Sequence, residues 1–375
     1  MQKKIAIITS GHPPFDERIY NKFAYTFSKY NYKTIIISSF AEIRQEENNI
    51  EILGFYGNNL TKRKKIFKFA ELLEKYSPDV IICSEPLTIL AASIYRKKNP
   101  GPIKIISDIT EWYPENVAFK KNGIKRFVSY IVLYLFNLFT SNLADKFIVG
   151  ENGKLKRYNL IAPTKDKRII GYYPPLKYFS GILSKTLKQN FIVCFSGIIS
   201  KERGIYNVLK VMSLLKERDP GTEIKLRVIG KFESEDDKKM FEANIKTMSI
   251  QLEMVPWTYY ADFPYQLEDV HVCIDLREKN FIYNNSLPIK IFDYLACGKP
   301  IIYSDIKPLL NEKFIESVGF LVNPDDTLEV VKRLEIYLND RNLLEEHSKN
   351  ARKLFENNFN WEKIEQNLID FLGDD

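Results

Sequence analysis

Nine short apolar runs, rich in β-branched residues, recur along the chain with longer amphipathic segments between them. "IAIITS", "TIIISS", "DVIICS", "IKIISD" and "DKFIVG" lie in the first half, and "FIVCFSG", "IKLRVIG", "VHVCIDL" and "KPIIYSD" in the second. Runs that are apolar throughout are strands buried on both faces, which requires parallel strands between layers of helix. At 375 residues the chain exceeds one ordinary core, so the pattern predicts two doubly wound, Rossmann-like α/β domains. Prolines and polar residues in "GYYPPLKYFSGILSKTLKQN" interrupt the periodicity. The predicted division is a first domain over 1–173, a linker over 174–190, a second domain over 191–357 and a terminal segment over 358–375.

Composition narrows the function classes. Cys83, Cys194, Cys273 and Cys297 sit singly inside apolar runs and read as reduced core residues of a cytoplasmic protein. His12, His271 and His347 are far apart, so no metal site is expected. The opening "MQKKIAIITSG" is too short in apolar residues for a signal core, and "FVSYIVLYLFNLF" at 127–139 is too short to cross a bilayer. Residues 1–173 hold 28 lysines and arginines against 16 aspartates and glutamates, whereas residues 174–375 are mildly acidic. That asymmetry directs the first half toward something anionic: a membrane surface, a phosphate-bearing substrate or nucleic acid.

In open α/β sheets ligands lie beyond the carboxyl ends of the strands, where loops meet helix starts. Four such stretches carry unusual residues. They are "SGHPPFDERIY", "SDITEWYP", "SGIISKERG" and "NNSLPIKIFDYLACGKPII". A GxGxxG fingerprint is absent from the first of them and no Walker sequence occurs, which argues against a dehydrogenase or a P-loop enzyme.

Together these stretches resemble the retaining glycosyltransferases of family 4, the group 1 glycosyl transferases of bacterial surface polysaccharide assembly. That family's second domain opens with strand, G-R-L-x-x-x-K-G and helix. Gly197 to Gly204 stand at those positions, with Ile198 in place of the arginine. Its Glu-x7-Glu motif before an A-x-G-x-P-V strand is matched by Asn285, Asp293 and "LACGKPII". A branch of the family carries D-x-R in its opening loop and D-x-H-E-x-x-P in a middle loop. Here these are Asp16 and Arg18, then Asp108, Thr110, Glu111 and Pro114, so threonine replaces the histidine. "FNWEKIEQNLIDFL" resembles the terminal helix that returns to the first domain. The resemblance implies a GT-B fold, two Rossmann-like domains facing a central cleft. It also implies a metal-independent transfer from a nucleotide-diphosphate sugar without a cofactor.

Residue roles follow from the same resemblance and from the chemistry of each group. A helix starting near Pro288 offers the N–H groups of Ile289, Lys290 and Ile291 to a phosphate, and Ser286 and Leu287 lead into it. Lys290 adds a point charge, Arg203 a bidentate fork, and Asp293 accepts bonds from a ribose diol. The competing reading of Asn285, Ser286 and Asp293 is capping plus a solvated first turn. Gly197 and Gly11 belong to the donor loops, and Trp257 is either a stacking platform for the base or a core or interface tryptophan. Arg18 is assigned to phosphate or acceptor, with the rival of an exposed arginine beside an Asp16 N-cap. Asp16, Asp108 and Glu111 face the acceptor, Thr110 joins Arg203, Lys290 and Asn285 as a catalytic candidate, and His12 is taken as structural.

Helix 123–142 is apolar on nearly every face and follows Lys120, Lys121, Lys125 and Arg126. Its default reading is a core helix. The alternative lays part of it in a membrane interface, with these basics and "TKRKK" at 61–65 on anionic lipid. The expected protein is thus a cytoplasmic glycosyltransferase, peripheral on the inner face of the plasma membrane in that alternative. It acts on a saccharide or lipid-linked acceptor, without nucleic acid. Its rivals are a non-hydrolysing nucleotide-sugar epimerase and a catalytically degenerate GT-B binding subunit.

Overall fold

A computed structural model describes residues 2–181, 190–248 and 250–373, which form two compact units. Unit 1 comprises Met1–Tyr172 and Ile364–Asp375, and unit 2 comprises Tyr173–Lys363.

Unit 1 is built on β1 (Lys4–Thr9), β2 (Lys33–Ser38), β3 (Ile43–Glu47), β4 (Ile50–Gly54), β5 (Val80–Cys83), β6 (Lys104–Ile109), β7 (Lys146–Val149) and β8 (Asp166–Ile169). They form one sheet in the order β3-β4-β2-β1-β5-β6-β7-β8, parallel except for β3. Five of these strands are the apolar runs read from the sequence. The β3–β4 hairpin is not among them: β3 is a charged, exposed edge strand, and Asn48 and Asn49 turn it at φ of 53° and 60°. Sequence-neighbouring winding reverses between β1 and β5, and this is where an open sheet leaves a crevice.

The terminal helix Glu365–Gly373 belongs to unit 1. Lys29 pairs with Glu365, the Tyr30 hydroxyl donates to Gln366 at 2.8 Å, and Lys146 Nζ donates to the Phe371 carbonyl at 3.1 Å. The boundary differs from the expected one. Residues 358–363 count with unit 2, where the Trp361 N–H bonds the Pro174 carbonyl at 3.0 Å. Residues 174–180 are not a linker either, because Phe179 of helix Leu176–Phe179 is buried in the unit 2 core. The rest of the expected linker, 182–189, lies outside the described residues.

Unit 2 holds β9 (Asn190–Ile199), β10 (Glu223–Phe232), β11 (Gln251–Pro256), β12 (Val272–Asp275), β13 (Ile301–Ser304) and β14 (Gly319–Val322) in the order β11-β10-β9-β12-β13-β14, all parallel. The strand period of two divides its core. Phe191, Val193 and Phe195 pack on one side with helix Ile205–Arg218, whereas Ile192 and Cys194 pack on the other with helix Lys290–Ala296. The switch point falls between β9 and β12.

Helix Gly123–Leu143 overturns the core reading. Its buried residues are Asn137, Thr140 and Ser141 and its Leu138 and Leu143 pack at the margin of the core, while Ile124, Phe127, Val128, Ile131, Val132, Leu135 and Phe139 face outward. None of the described helices is long and apolar enough to cross a membrane.

Truncation of the buried Phe371 to alanine removes an aromatic side chain from the terminal helix, at a cost of about 3–5 kcal/mol. Hydrogen–deuterium exchange should therefore accelerate in peptides covering β7 and β8 and stay unchanged in β9 and β10. Unaltered exchange in β7 and β8 would show that this helix does not support the sheet.

Candidate active site

In unit 2 the carboxyl end of β9 carries Gly197 at φ +127°, in register with Gly230 of β10. A β-carbon on Gly230 would fall 1.8 Å from the Gly197 carbonyl oxygen, so this floor must be bare. A β-carbon on Gly197 would lie 3.2 Å from Lys290 Cε. Gly197 thus seats the stem of Lys290, whose ammonium stands 4.8 Å from the Phe263 ring centroid.

The loop after β9 holds Arg203. Gly204, at φ +80°, lets this loop touch the loop after β12, because a β-carbon there would be 1.8 Å from the Leu276 carbonyl. The Glu278 N–H donates to the Glu202 carbonyl at 2.9 Å and ties the loops together. Arg203 lies over the Tyr283 ring at 4.7 Å, and Arg277 approaches the same ring at 5.6 Å. Arg277 is buried and forked onto Asp275, donating from Nε at 2.8 Å, and the Tyr303 hydroxyl donates to the same carboxylate at 2.8 Å. Burial alone would raise the Asp275 pKa, but Arg277, Tyr303 and Arg203 together hold it below the ordinary value. Sequence reading missed Asp275, Arg277, Tyr283 and Tyr303. Their signal was an Asp-x-Arg pair at the end of a buried strand.

The helix opening after Pro288 is shorter than expected. It runs Lys290–Ala296 with Ile289 at its N-cap, and the Ile291 N–H already donates to the Pro288 carbonyl at 3.4 Å. The expected set of three free amides is therefore corrected to those of Ile289 and Lys290, which precede the first helical bond. Asp293 is only 3% exposed, so the solvated first turn is ruled out, and the Tyr260 hydroxyl donates to its Oδ1 at 2.9 Å. Asn285 and Ser286 lock their own loop: the Asn285 amide donates to the Phe281 carbonyl at 2.6 Å and the Ser286 hydroxyl to that of Ile282 at 2.7 Å. Leu287 packs at the margin of the core, and Pro288 is buried. Trp257 is 55% exposed at the end of β11, with Lys231 Nζ 4.9 Å from its ring, which removes the core reading.

In unit 1 the loop after β1 has already spent its donors on a carboxylate of the chain itself. Glu85, following β5, accepts from the Ser10 N–H at 2.8 Å, the Gly11 N–H at 3.1 Å and the Thr9 hydroxyl at 2.7 Å. The amide of Gly11, a residue expected in the donor loops, is thus already bonded within the chain. Arg18 matches neither of its readings. It is buried, forks onto Asp108 from Nε at 2.7 Å and Nη2 at 2.8 Å, and donates to the carbonyls of Ile170 and Gly171. Asp108 is consumed in the same pair and does not face an acceptor. Asp16 does cap the helix beginning at Glu17, accepting from the N–H groups of Arg18 and Ile19.

Thr110 is half-buried, and its carbonyl is pinned by Lys154 Nζ at 2.6 Å. Glu111 is exposed. His12 stands 3.3 Å from Asp16 and 3.9 Å from Glu85. Burial works against a charged ring, yet Asp16, Glu85 and Glu111 push its pKa up to about 9. Burial likewise opposes the Asp16 charge, and the His12 bond and the backbone N–H groups of Ile19 and Arg18 lower its pKa nonetheless. A cationic imidazole among carboxylates at a switch point is a built polar cluster, and reading His12 in isolation concealed it.

Two Rossmann-like α/β units with parallel sheets define the GT-B fold, and solved structures bear this out. Sucrose-phosphate synthase from Thermosynechococcus elongatus superimposes with a TM-score of 0.79 over 99% of this chain and 98% of its own, at 15% identity. Anabaena HepE, solved with UDP and glucose, gives 0.74 over 99% of this chain and all of its own, at 12% identity. Within unit 2 and its leading segment, residues 184–354 match the family described as Glycosyl transferases group 1. Over 197 residues the chain is 24% identical to the capsular polysaccharide biosynthesis glycosyltransferase CapM of Staphylococcus aureus, covering 50% of this chain and 48% of CapM. The alignment therefore spans about half the length of that curated relative.

The His12 cluster sets a pH dependence. The folded-state pKa of about 9 lies above the ordinary 6.5, so the stabilisation is complete below about pH 6.5 and is lost as pH rises through 9. His12→Gln should cost on the order of 2–3 kcal/mol at pH 6 and progressively less toward pH 10. Urea denaturation of both proteins across that range checks it, and a constant difference would remove His12 as the titrating group.

Proposed function

We propose that the chain is a retaining glycosyltransferase that moves a sugar from a nucleoside-diphosphate sugar to a saccharide acceptor in surface polysaccharide assembly. The observation that carries this reading is the pair of cations at the carboxyl end of β9: Lys290, seated on Gly197, and Arg203, held over Tyr283 beside the switch point. A diphosphate leaving group needs positive charge that is in place before the bond breaks, and two pre-oriented cations with the amides of Ile289 and Lys290 supply it. Metal-independent transfer follows from assigning that charge to protein groups.

In this reading the Asp293 carboxylate takes the ribose diol, with Tyr260 orienting it, and exposed Trp257 stacks on the base. The departing phosphate accepts the acceptor's proton, so no protein base is assigned. HepE has been solved with UDP and glucose and with UDP-glucose, which makes uridine nucleotides the first donors to try. The likeness to CapM, whose name specifies capsular polysaccharide biosynthesis, favours a polysaccharide pathway. A cytoplasmic location is favoured by four buried, free cysteines. The acceptor and the His12 cluster are assigned to unit 1, and the outward-facing apolar helix there favours a lipid-linked acceptor.

Arg203→Ala should lower turnover by roughly 100-fold, because the charge it meets grows only as the bond breaks. Transfer or donor hydrolysis with a panel of nucleotide sugars measures this, and near wild-type turnover would return Arg203 to a loop-positioning role. Isomerised free sugar nucleotide in the same assay would instead identify an epimerase.

Asp293→Asn should weaken nucleotide binding by about 1.5–3 kcal/mol, the worth of a charge-assisted bond. Calorimetry reads it directly. Unchanged affinity would remove Asp293 from the donor site.

A further inference from the structure

Helix Gly123–Leu143 turns one apolar face outward. Ile124, Phe127, Val128, Ile131, Val132, Leu135 and Phe139 are between 42% and 74% exposed, whereas Asn137, Thr140 and Ser141 are buried. They recur in steps of one, three or four residues, so at 100° per residue all seven fall on one broad face of the helix. From Ile124 to Phe139 that stripe runs about 22 Å along the surface. Folding alone does not account for it, since unit 1 gains nothing by presenting so long an apolar ridge to water.

At its Phe139 end the stripe continues into a groove of about 360 Å³. Ile66, Phe67, Leu90, Ile94, Phe139 and Leu143 make its apolar wall, and Arg63 and Lys97 stand at its edge. At the other end Lys120, Lys121, Lys125 and Arg126 are exposed, and the helix itself carries no acidic residue.

We infer that this face docks onto the surface of an anionic lipid bilayer: the stripe lies in the interface, the groove takes part of one acyl chain, and the basic groups at both ends meet lipid phosphates. The charge pattern selects this occupant. In a two-fold pairing of the same face between two copies, each basic end would meet another basic end in either direction, which opposes association. An anionic surface satisfies both ends at once while the apolar stripe is buried. The inference deepens the lipid-linked reading of the acceptor, but it rests on this surface alone and stands or falls separately from the transferase chemistry.

The test is co-sedimentation of the full chain with phosphatidylcholine vesicles, with and without phosphatidylglycerol. Wild type should pellet with the anionic vesicles at low salt and be largely released at about 0.5 M salt, where the screening length falls to a few ångström. Replacing Phe127, Leu135 and Phe139 together by glutamine should lower binding at least about tenfold, as the interface loses three of its apolar anchors. Arg63→Gln with Lys97→Gln should lower it on anionic vesicles specifically. Nucleotide binding by calorimetry on each variant shows that the protein is folded and keeps the donor site separate. Wild type remaining in the supernatant at low salt would overturn the inference. So would a triple variant that binds as well as wild type, which would leave charge alone at work. A dimer in analytical ultracentrifugation that the triple variant dissociates would assign the face to a second copy instead.

Discussion

Parallel pairing of β9 with both β10 and β12 forces the chain to wind outward in two directions, so the loops after β9 and β12 part at the middle of the sheet. The features of the unit 2 site depend on how closely those loops still approach. Gly204 permits backbone contact with Leu276, and bare Gly197 and Gly230 leave room for a lysine stem. Arg203, on the loop after β9, and Lys290, at the start of its helix, are thereby held beside that strand end. The buried Asp275–Arg277 fork beneath is costly to desolvate unless its geometry is good, and the Tyr303 bond helps complete it. Its effect on function is positional: the neighbouring Tyr283 ring receives both arginines.

Unit 1 repeats the winding but uses its crevice differently. Where a nucleotide-binding turn would offer amides to phosphate, Glu85 already accepts them, and the resulting negative charge recruits His12. Arg18 and Asp108, which resemble ligand-facing residues in sequence, neutralise each other in the interior. The first sheet is therefore ill suited to anions at this point and better suited to hydroxyl groups, which carboxylates and imidazolium can bond without repulsion. That contrast is the basis for proposing the saccharide acceptor on unit 1 and the diphosphate on unit 2.

The net positive charge of the first half has two destinations. Arg18, Lys22 and Lys154 are buried with carboxylate partners and contribute nothing to an external field. Lys62, Arg63, Lys64, Lys97 and the Lys120–Arg126 cluster remain exposed around an apolar surface. A count of charges treats the two groups alike, although only the second acts at a distance.

The strands that were legible are those buried on both faces, because an uninterrupted β-branched run has few other folded uses. β3 and β4 escaped, since β3 is an exposed, charged edge strand and β4, buried only at alternate positions, has no uninterrupted apolar run to announce it. Motif spacing singled out Lys290, Asp293 and Arg203, and these fall in the first turn of one helix and in the loop after β9, where loop sequence and helix start are local matters. What each side chain touches was not local. Arg18 is consumed by a residue ninety positions away, Gly11 by Glu85, and the helix at 123–143 buries Asn137, Thr140 and Ser141 while leaving one apolar face exposed. Sequence by itself determined the strands buried on both faces, which loops follow them and which residue types those loops carry, because hydrophobic periodicity and turn chemistry act over a few residues. Tertiary structure alone decided which charges are spent inside and which stay available, because burial and ion pairing depend on residues that the chain brings together only after it has folded.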